Sequence, residues 1–407
     1  MSTNKADILI SGGGIAGLTL ALLLSDIGLT IHVLEPFPPK PFKETKPTGR
    51  TVALMDSSVN VIKAAGVWDI IKEHTAALKT MTIIDDSQPG AEVIEAAFDA
   101  TDIGLEQYGF NCPNSLLRAA LFERAQAVDN IQIHTSALQS FETQKASVTA
   151  TLENGERITA ALLIGADGRN SSVRKQSEIE DWQKTYNQSA ITCVINHSKA
   201  HNNVAVEFHR PGGPFALVPL PGNQCSVVWV ETPERAAELL KLKKHEFEQA
   251  LEKNANSILG GITLETGPES WPLSTMKAKT LIAPRIALVA EAAHVLSPIT
   301  AQGLNLSLRD ISTLAEVIAD AMRLGLDYGS ETILAKYQKR RRIDINTRVF
   351  GVDGMNRIVS NDLSFVKGLR RLGLKTTARI SPIKKSAMMH GLAPQLDLGR
   401  LAKGEAL

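Results

Sequence analysis

Four residues near the N-terminus have the types and spacing to hold a phosphate and a sugar. Gly12, Gly14 and Gly17 form a GxGxxG motif, and Glu35 closes the next apolar run. Glycines let the backbone approach a pyrophosphate, and a helix start offers unpaired N–H groups to the anion. A carboxylate about 20 residues on accepts ribose hydroxyls. The chemistry this predicts is dinucleotide binding, with Ile15 and Ala16 at the helix start. A carboxylate at position 35, where an arginine would accommodate a 2′-phosphate, favours an unphosphorylated ribose, as in FAD or NAD.

The elements that must carry those residues follow from local pattern. Asp7–Ser11 reads as a strand, Gly12–Gly14 as a tight turn, Ile15–Ile27 as a helix and Thr30–Glu35 as a second strand. Gly28 stands where a helix end wants positive φ. This βαβ unit implies a parallel sheet covered on both faces. The Pro-rich segment Pro36 to Pro47 reads as a loop. A helix is predicted over Ser115–Val128, then strands at Ile131–Thr135 and Val148–Leu152, with Asn154-Gly155 as a hairpin turn. A strand at Leu162–Ala166 ends in Ala-Asp-Gly-Arg. From Ile191 to Val230 apolar and polar residues alternate between Gly/Pro/Asn turns, the pattern of an antiparallel sheet. A strand at Arg285–Ala290 and a helix over Leu304–Met322 return to the first pattern.

The predicted fold class is α/β: a Rossmann-like dinucleotide domain with a mixed sheet, an inserted antiparallel-sheet domain for substrate and a helical basic C-terminal tail. The expected boundaries are 1–75, 100–185 and 277–340 for the first domain, 76–99 and 186–276 for the insert, and 341–407 for the tail. A chain of 407 residues is beyond the roughly 250–300 at which a single core stops growing.

Net charge is +1, yet residues 336–407 hold 16 basic and 5 acidic side chains, leaving 28 against 38 in residues 1–335. A neutral total thus hides an acidic body and a tail of +11, and no motif points to a nucleic-acid partner. The three cysteines, Cys112, Cys193 and Cys225, show no CxxC or metal-ligand spacing, so no metal site is expected and a reducing, cytoplasmic setting is. No signal peptide is predicted. The apolar region Ile8–Leu34 is too interrupted for a membrane span.

Two further segments, LLIGADGRNSSVR (162–174) and RIALVAEAAHVLSPITAQGLNLSLRD (285–310), carry a resemblance. With the glycine motif, they resemble the FAD-dependent aromatic hydroxylases of the para-hydroxybenzoate hydroxylase type, in particular the ubiquinone-biosynthesis monooxygenases. The resemblance extends from the N-terminus to about residue 345. It implies FAD as cofactor and NADPH or NADH as a transient reductant. It also implies O2 as co-substrate and transfer of oxygen from a flavin C4a-hydroperoxide to an electron-rich ring carbon of a polyprenylated phenol or quinol. No side chain is then assigned to acid–base or nucleophilic catalysis, because the hard chemistry belongs to the cofactor.

The same resemblance assigns Asp167 and Gly168 to the flavin pyrophosphate and the passing nicotinamide. Glu291 goes to the ribityl chain, and Ala292, Pro298, Gln302, Gly303 and Asn305 to the turn beside the flavin ring. Arg50 matches an arginine near the flavin, and Arg118 one near the ribityl and phosphate groups. Phe215, Leu217 and Pro219, in FHRPGGPFALVPLPG, would line the aromatic pocket. The family motif has Gly-Asp where this chain has Ala290-Glu291, and Gly where it has Ala301. His294 follows the pattern and is given no acid–base role.

The tail holds a candidate amphipathic helix near Asn361–Gly373, with Phe365, Val366, Leu369 and Leu372 apolar and Lys367, Arg370 and Arg371 polar. Basic amphipathic helices lie on anionic membranes, which would place the enzyme peripherally on the inner face. The competing expectation packs the tail on the acidic body or on a partner in a quinone-biosynthesis complex. The Lys339–Arg342 run is expected on a solvated helix face. Alternative functions on the same fold are hydroxylation of a small soluble aromatic, isoprenoid reduction, and a non-catalytic scaffold role in a biosynthetic complex.

Overall fold

The computed structural model describes residues 4–87, 92–210, 212–297, 302–359, 364–391 and 398–407. Along the chain, β1 (Ile8–Ser11), α1 (Ile15–Asp26) and β2 (Ile31–Leu34) form the opening unit. Next come β3 (Thr51–Met55), β4 (Thr80–Asp85), β5 (Ile94–Asp99), β6 (Gly109–Pro113), α2 (Asn114–Gln126) and β7 (Ile131–His134). The middle of the chain supplies β8 (Leu162–Gly165), β9 (Asp181–His197), β10 (Val204–Arg210), β11 (Gly213–Leu220), β12 (Gln224–Glu231), α3 (Lys244–Asn254) and β13 (Glu269–Ala278). It ends with β14 (Ile286–Leu288) and the helices α4 (Gly303–Arg323), α5 (Glu331–Val359), α6 (Ser364–Arg379) and α7 (Ser381–Gly391).

One six-stranded sheet runs Ile282–Ala283, β14, β8, β1, β2, β7, parallel except for the edge pair Ile282–Ala283 with β14. Every residue of β1, β2 and β8 is buried, as in a parallel sheet covered on both faces. The helix α1 is apolar all round, IAGLTLALLLSD, since it too is enclosed on all sides, and only its terminal Asp26 is exposed. Gly28, at φ +90°, ends it as expected.

A second, larger sheet runs His294–Val295, β13, β9, β12, β11, β10, β4, β5, with Ile262–Leu264 also on β9. Its pairings are antiparallel apart from β10 with β4. The period of two sends Phe208, Phe215, Leu217 and Trp229 into one core with Phe247 and Leu251 of α3. A three-stranded sheet, β3–β6–(Ala76–Leu78), stands beside it.

Two expectations for the C-terminal region need correction. The Lys339–Arg342 run is solvated only in part: Lys339 and Arg342 are exposed, but Arg341 is fully buried, and Arg340 pairs with Glu316 at 3.0 Å. The expected polar face of the tail helix points inward. Arg370 Nε donates to Asp85 Oδ2 at 2.8 Å and Arg371 pairs with the same carboxylate at 3.2 Å, while Leu372 is 62% exposed. Lys375–Glu92, Lys384–Asp102 and Arg400–Asp320 add contacts between the basic tail and the acidic body. The side chains of Phe365, Val366, Lys367 and Leu369 lie outside the described residues. The helix α5 runs unbroken through residue 341. Among the described residues no helix is long and apolar enough to cross a membrane, and no group of His, Cys, Asp or Glu is arranged to hold a metal.

Candidate active site

The glycine turn between β1 and α1 leaves no room for side chains except where it opens outward. A Cβ on Gly12, which sits at φ +110°, would lie 2.3 Å from the Ala166 carbonyl oxygen, and one on Gly17 would lie 1.9 Å from the Gly12 oxygen. A Cβ on Gly14 would meet nothing within 4 Å. No side chain caps α1, so the N–H groups at Ile15 and Ala16 face that open space uncapped. Gly13, which the motif leaves unspecified, is needed as well: its Cβ would sit 2.6 Å from Glu35 Cβ.

Glu35 is buried at the end of β2, where Oε1 accepts from Phe37 N at 2.7 Å and Oε2 pairs with Arg118 at 3.0 Å. Arg118 also donates to the carbonyl oxygens of Gly13 and Phe37, at 3.3 and 2.7 Å. The structure thus puts Arg118 of α2 against both Glu35 and the glycine turn. Beside it opens a cleft of about 550 Å³ between Ser115 and the Pro-rich loop.

The Asp-Gly turn after β8 lies against Gly12. Asp167 Oδ2 caps the short helix Ser172–Gln176, accepting from Ser172 N at 2.8 Å and Val173 N at 3.1 Å, and Gly168 takes φ +79°. Asp167 Oδ1 and Asn114 Oδ1 are buried without a hydrogen-bond partner among the described residues. Arg174, in the same motif, is a site residue that its sequence context does not single out. It is 2% exposed and donates to Ala292 O at 2.9 Å, Arg169 O at 2.8 Å and Asp181 Oδ2 at 3.0 Å.

Ala292 is buried on the turn 290–292, and Glu291 stands exposed on it. Ala290 holds φ +55°, the backbone state for which the family glycine is suited. The turn is clamped from two sides, by Arg174 on the Ala292 carbonyl and by Asp310, whose Oδ2 accepts from Ala290 N at 3.2 Å. His294 Nε2 lies 2.5 Å from the same Asp310 oxygen, and Arg341 Nε donates to Asp310 Oδ1 at 2.7 Å. Burial alone would raise the Asp310 carboxyl, but His294 and Arg341 together hold it below its ordinary value. Arg341 continues to Asp344 at 2.9 Å, which also pairs with Arg309 at 2.9 Å, and burial pulls the Arg309 guanidinium down to about 10.

Gln302 and Gly303 open α4, with Gln302 buried. Asn305 Oδ1 accepts from Met55 N at 2.9 Å and its Nδ2 donates to Ala53 O at 2.8 Å, which sews β3 onto α4. Pro298 and Ala301 lie outside the described residues. Arg50 is exposed and stacks over Trp271 at 5.0 Å. The preceding Gly49 packs on β9, where a Cβ would meet Thr192 O at 2.8 Å.

The expected aromatic pocket needs a correction. Phe215 and Leu217 lie in the core against α3, and Pro219 shares their side of β11. The register sends Ala216 and Val218 to the opposite face, partly exposed, beside Val228 and Ser226 of β12. There Asn111 Nδ2 donates to Ser226 Oγ at 3.2 Å and Pro219 O at 2.9 Å, and Thr51 Oγ1 donates to Ser226 Oγ at 2.8 Å. Asn111 Oδ1, buried, has no partner among the described residues. Alternation in sequence shows that a strand has two faces but not which one a neighbouring sheet leaves open.

The uncapped helix start, the side-chain-free turn and the unpartnered Asp167 oxygen together fit a dinucleotide. Residues 5–349 match the FAD binding domain family. The chain belongs to that family. It is an FAD-dependent monooxygenase, and its resemblance to the ubiquinone-biosynthesis branch is borne out. The ubiquinone hydroxylase UbiL of Rhodospirillum rubrum is 33% identical to it across 99% of this chain and 94% of the relative. The 3-demethoxyubiquinol 3-hydroxylase of Escherichia coli is 31% identical across 96% of this chain and all of the relative. The p-nitrophenol 4-monooxygenase PnpA of Pseudomonas putida shares the fold, with a TM-score of 0.78 at 17% identity over 97% of this chain and 100% of that one.

Proposed function

We propose that this flavoprotein hydroxylates the aromatic ring of a polyprenylated phenol or quinol on the route to ubiquinone, using NADPH or NADH and O2. The observation that carries the reading is the full-length similarity to ubiquinone hydroxylases, joined to a polar and apolar face between β11–β12 and β3–β6 where a ring can lie. Bound FAD, once reduced, supplies the oxygen activation.

The chain's own residues bind, orient and exclude water. The uncapped N–H groups after Gly12 and Gly14 receive the pyrophosphate, and Glu35 takes the ribose hydroxyls with Arg118 fixing its carboxylate. Asp167 Oδ1 offers an acceptor beside the phosphates, Arg50 a cation near the ring, and Glu291 an acceptor for the ribityl chain. Ala216, Val218 and Val228 form the apolar wall for the substrate, and Asn111 Oδ1 accepts from its ring hydroxyl. The six-stranded sheet with its helices is the cofactor unit and the nine-stranded sheet the substrate unit. The enzyme works on the cytoplasmic side, in peripheral contact with a membrane and within reach of other quinone-pathway proteins.

Deleting the protein and identifying the accumulated quinone intermediate by mass spectrometry tests this, and its missing hydroxyl names the ring position. Purified protein whose flavin is reduced by NADPH, in cells whose quinone intermediates are unchanged by the deletion, sinks the proposal. Asn111→Leu should raise KM for the aromatic at least several-fold while leaving flavin content unchanged.

A further inference from the structure

Eight of the eighteen large apolar side chains exposed among the described residues lie between 343 and 389. Scattered single exposures are ordinary, but a concentration of this kind marks a contact surface. The pattern is clearest on α5. Ile343 (68% exposed), Phe350 (56%), Met355 (48%) and Ile358 (47%) follow one another at seven-, five- and three-residue steps, opposite the buried Ile345, Val349, Val352 and Val359. Trp182 of β9, 37% exposed, lies 6.1 Å from the Phe350 ring and widens the stripe by one aromatic.

The charge around the stripe says what covers it. The acids described between 342 and 391 are Asp344 and Asp353, and both are buried in ion pairs with arginine or lysine. The charged side chains left exposed there are Arg342, Arg357 and Lys385. Within 342–391 the exposed charge is cationic, and Glu180, two residues before Trp182, is paired with Lys279. An apolar and aromatic stripe with that charge suits a surface that offers anionic headgroups over hydrocarbon. A protein partner would need an acidic rim around an apolar centre. A second copy of this chain would set arginine against arginine.

We propose that the outer face of α5, with Trp182, is the surface by which this protein docks on an anionic lipid bilayer. The surface differs from the one expected from sequence, since Arg370 and Arg371 are committed to Asp85 and cannot meet lipid. The inference rests on the proposed function only for its purpose, access to a polyprenylated substrate.

Sedimentation of the full-length, FAD-loaded protein with vesicles tests it. Binding is expected to vesicles containing phosphatidylglycerol and not to pure phosphatidylcholine. It should fall at least tenfold in Ile343→Ser/Phe350→Ser, and about fivefold for each of Arg342→Gln and Arg357→Gln, with a weaker salt dependence. Flavin content and turnover of a short-chain, water-soluble substrate analogue should be unchanged in all of them, so failure of docking and failure of the proposed reaction read out separately. Equal binding to both vesicle types overturns the proposal, as do variants that bind like the wild type. So does a dimer or a captured acidic protein that the same substitutions disrupt while vesicle binding persists.

Discussion

Replacing Arg341 with methionine tests the buried ionic cluster behind the 290–292 turn. The guanidinium is fully buried, with Asp310 Oδ1 at 2.7 Å and Asp344 Oδ2 at 2.9 Å. Removing one partner of a buried pair leaves an uncompensated charge and costs about 3–5 kcal/mol, whereas exchanging the whole cluster for apolar groups is often neutral. For a chain this long that corresponds to a fall in melting temperature of roughly 3–6 °C. Arg342→Met, one position on and exposed, changes stability by no more than about 0.5 kcal/mol and serves as the control. The loss should also depend on pH. In the wild type Asp310 is held below its ordinary value, so its contribution persists above the unfolded value and disappears only as pH falls through the folded one. Without Arg341, His294 alone opposes burial, and the expected outcome is a carboxyl raised above its unfolded value. The variant then gains relative stability by protonation, and its deficit is largest at pH 7–8 and narrows towards pH 5. Melting followed by flavin fluorescence across that range measures both effects. A variant that melts within about 1 °C of the wild type at pH 7 refutes the energetic argument, and a deficit constant from pH 5 to 8 refutes the protonation argument.

Gly17→Ala forces a methyl to within 1.9 Å of the Gly12 oxygen, so the turn must open at a cost of about 1–3 kcal/mol, and the purified protein should lose its yellow colour. Gly49→Ala meets only backbone, at 2.8 Å from Thr192 O and 2.9 Å from Cys193 Cα, and should lower the melting temperature while flavin content is kept. His32 is buried 3.1 Å from His134, and burial first, then the His134 charge, lower it to about 4. The unfolded chain therefore takes up a proton before the folded one as pH drops below 6.5. Stability is full above that value and falls by up to about 3 kcal/mol on the way to pH 4. His32→Leu should flatten that slope in urea titrations at pH 4.5 and 7, and an unchanged slope counts against it.

What sequence could and could not reveal divides along physical lines. The βαβ unit was legible because glycine spacing, helix length and the closing Glu35 are all local. Arg341 was not, because a buried arginine reads like its exposed neighbours until Asp310, on another helix, is brought to 2.7 Å. Arg370 and Arg371 misled in the same way, their acid lying on β4 almost three hundred residues earlier. For Phe215 and Leu217 the alternation was right and the side was wrong, since only packing against α3 decides which face of β11 is closed.

Arg174 joins the Asp-Gly turn, the Ala292 carbonyl and the first residue of β9 through one guanidinium, and β9 then runs to His197 as the strand on which β12 and β13 are hung. The two large sheets are thereby fastened at the point where one becomes the other. Heating should melt them as a single cooperative unit, with calorimetric and van't Hoff enthalpies in agreement.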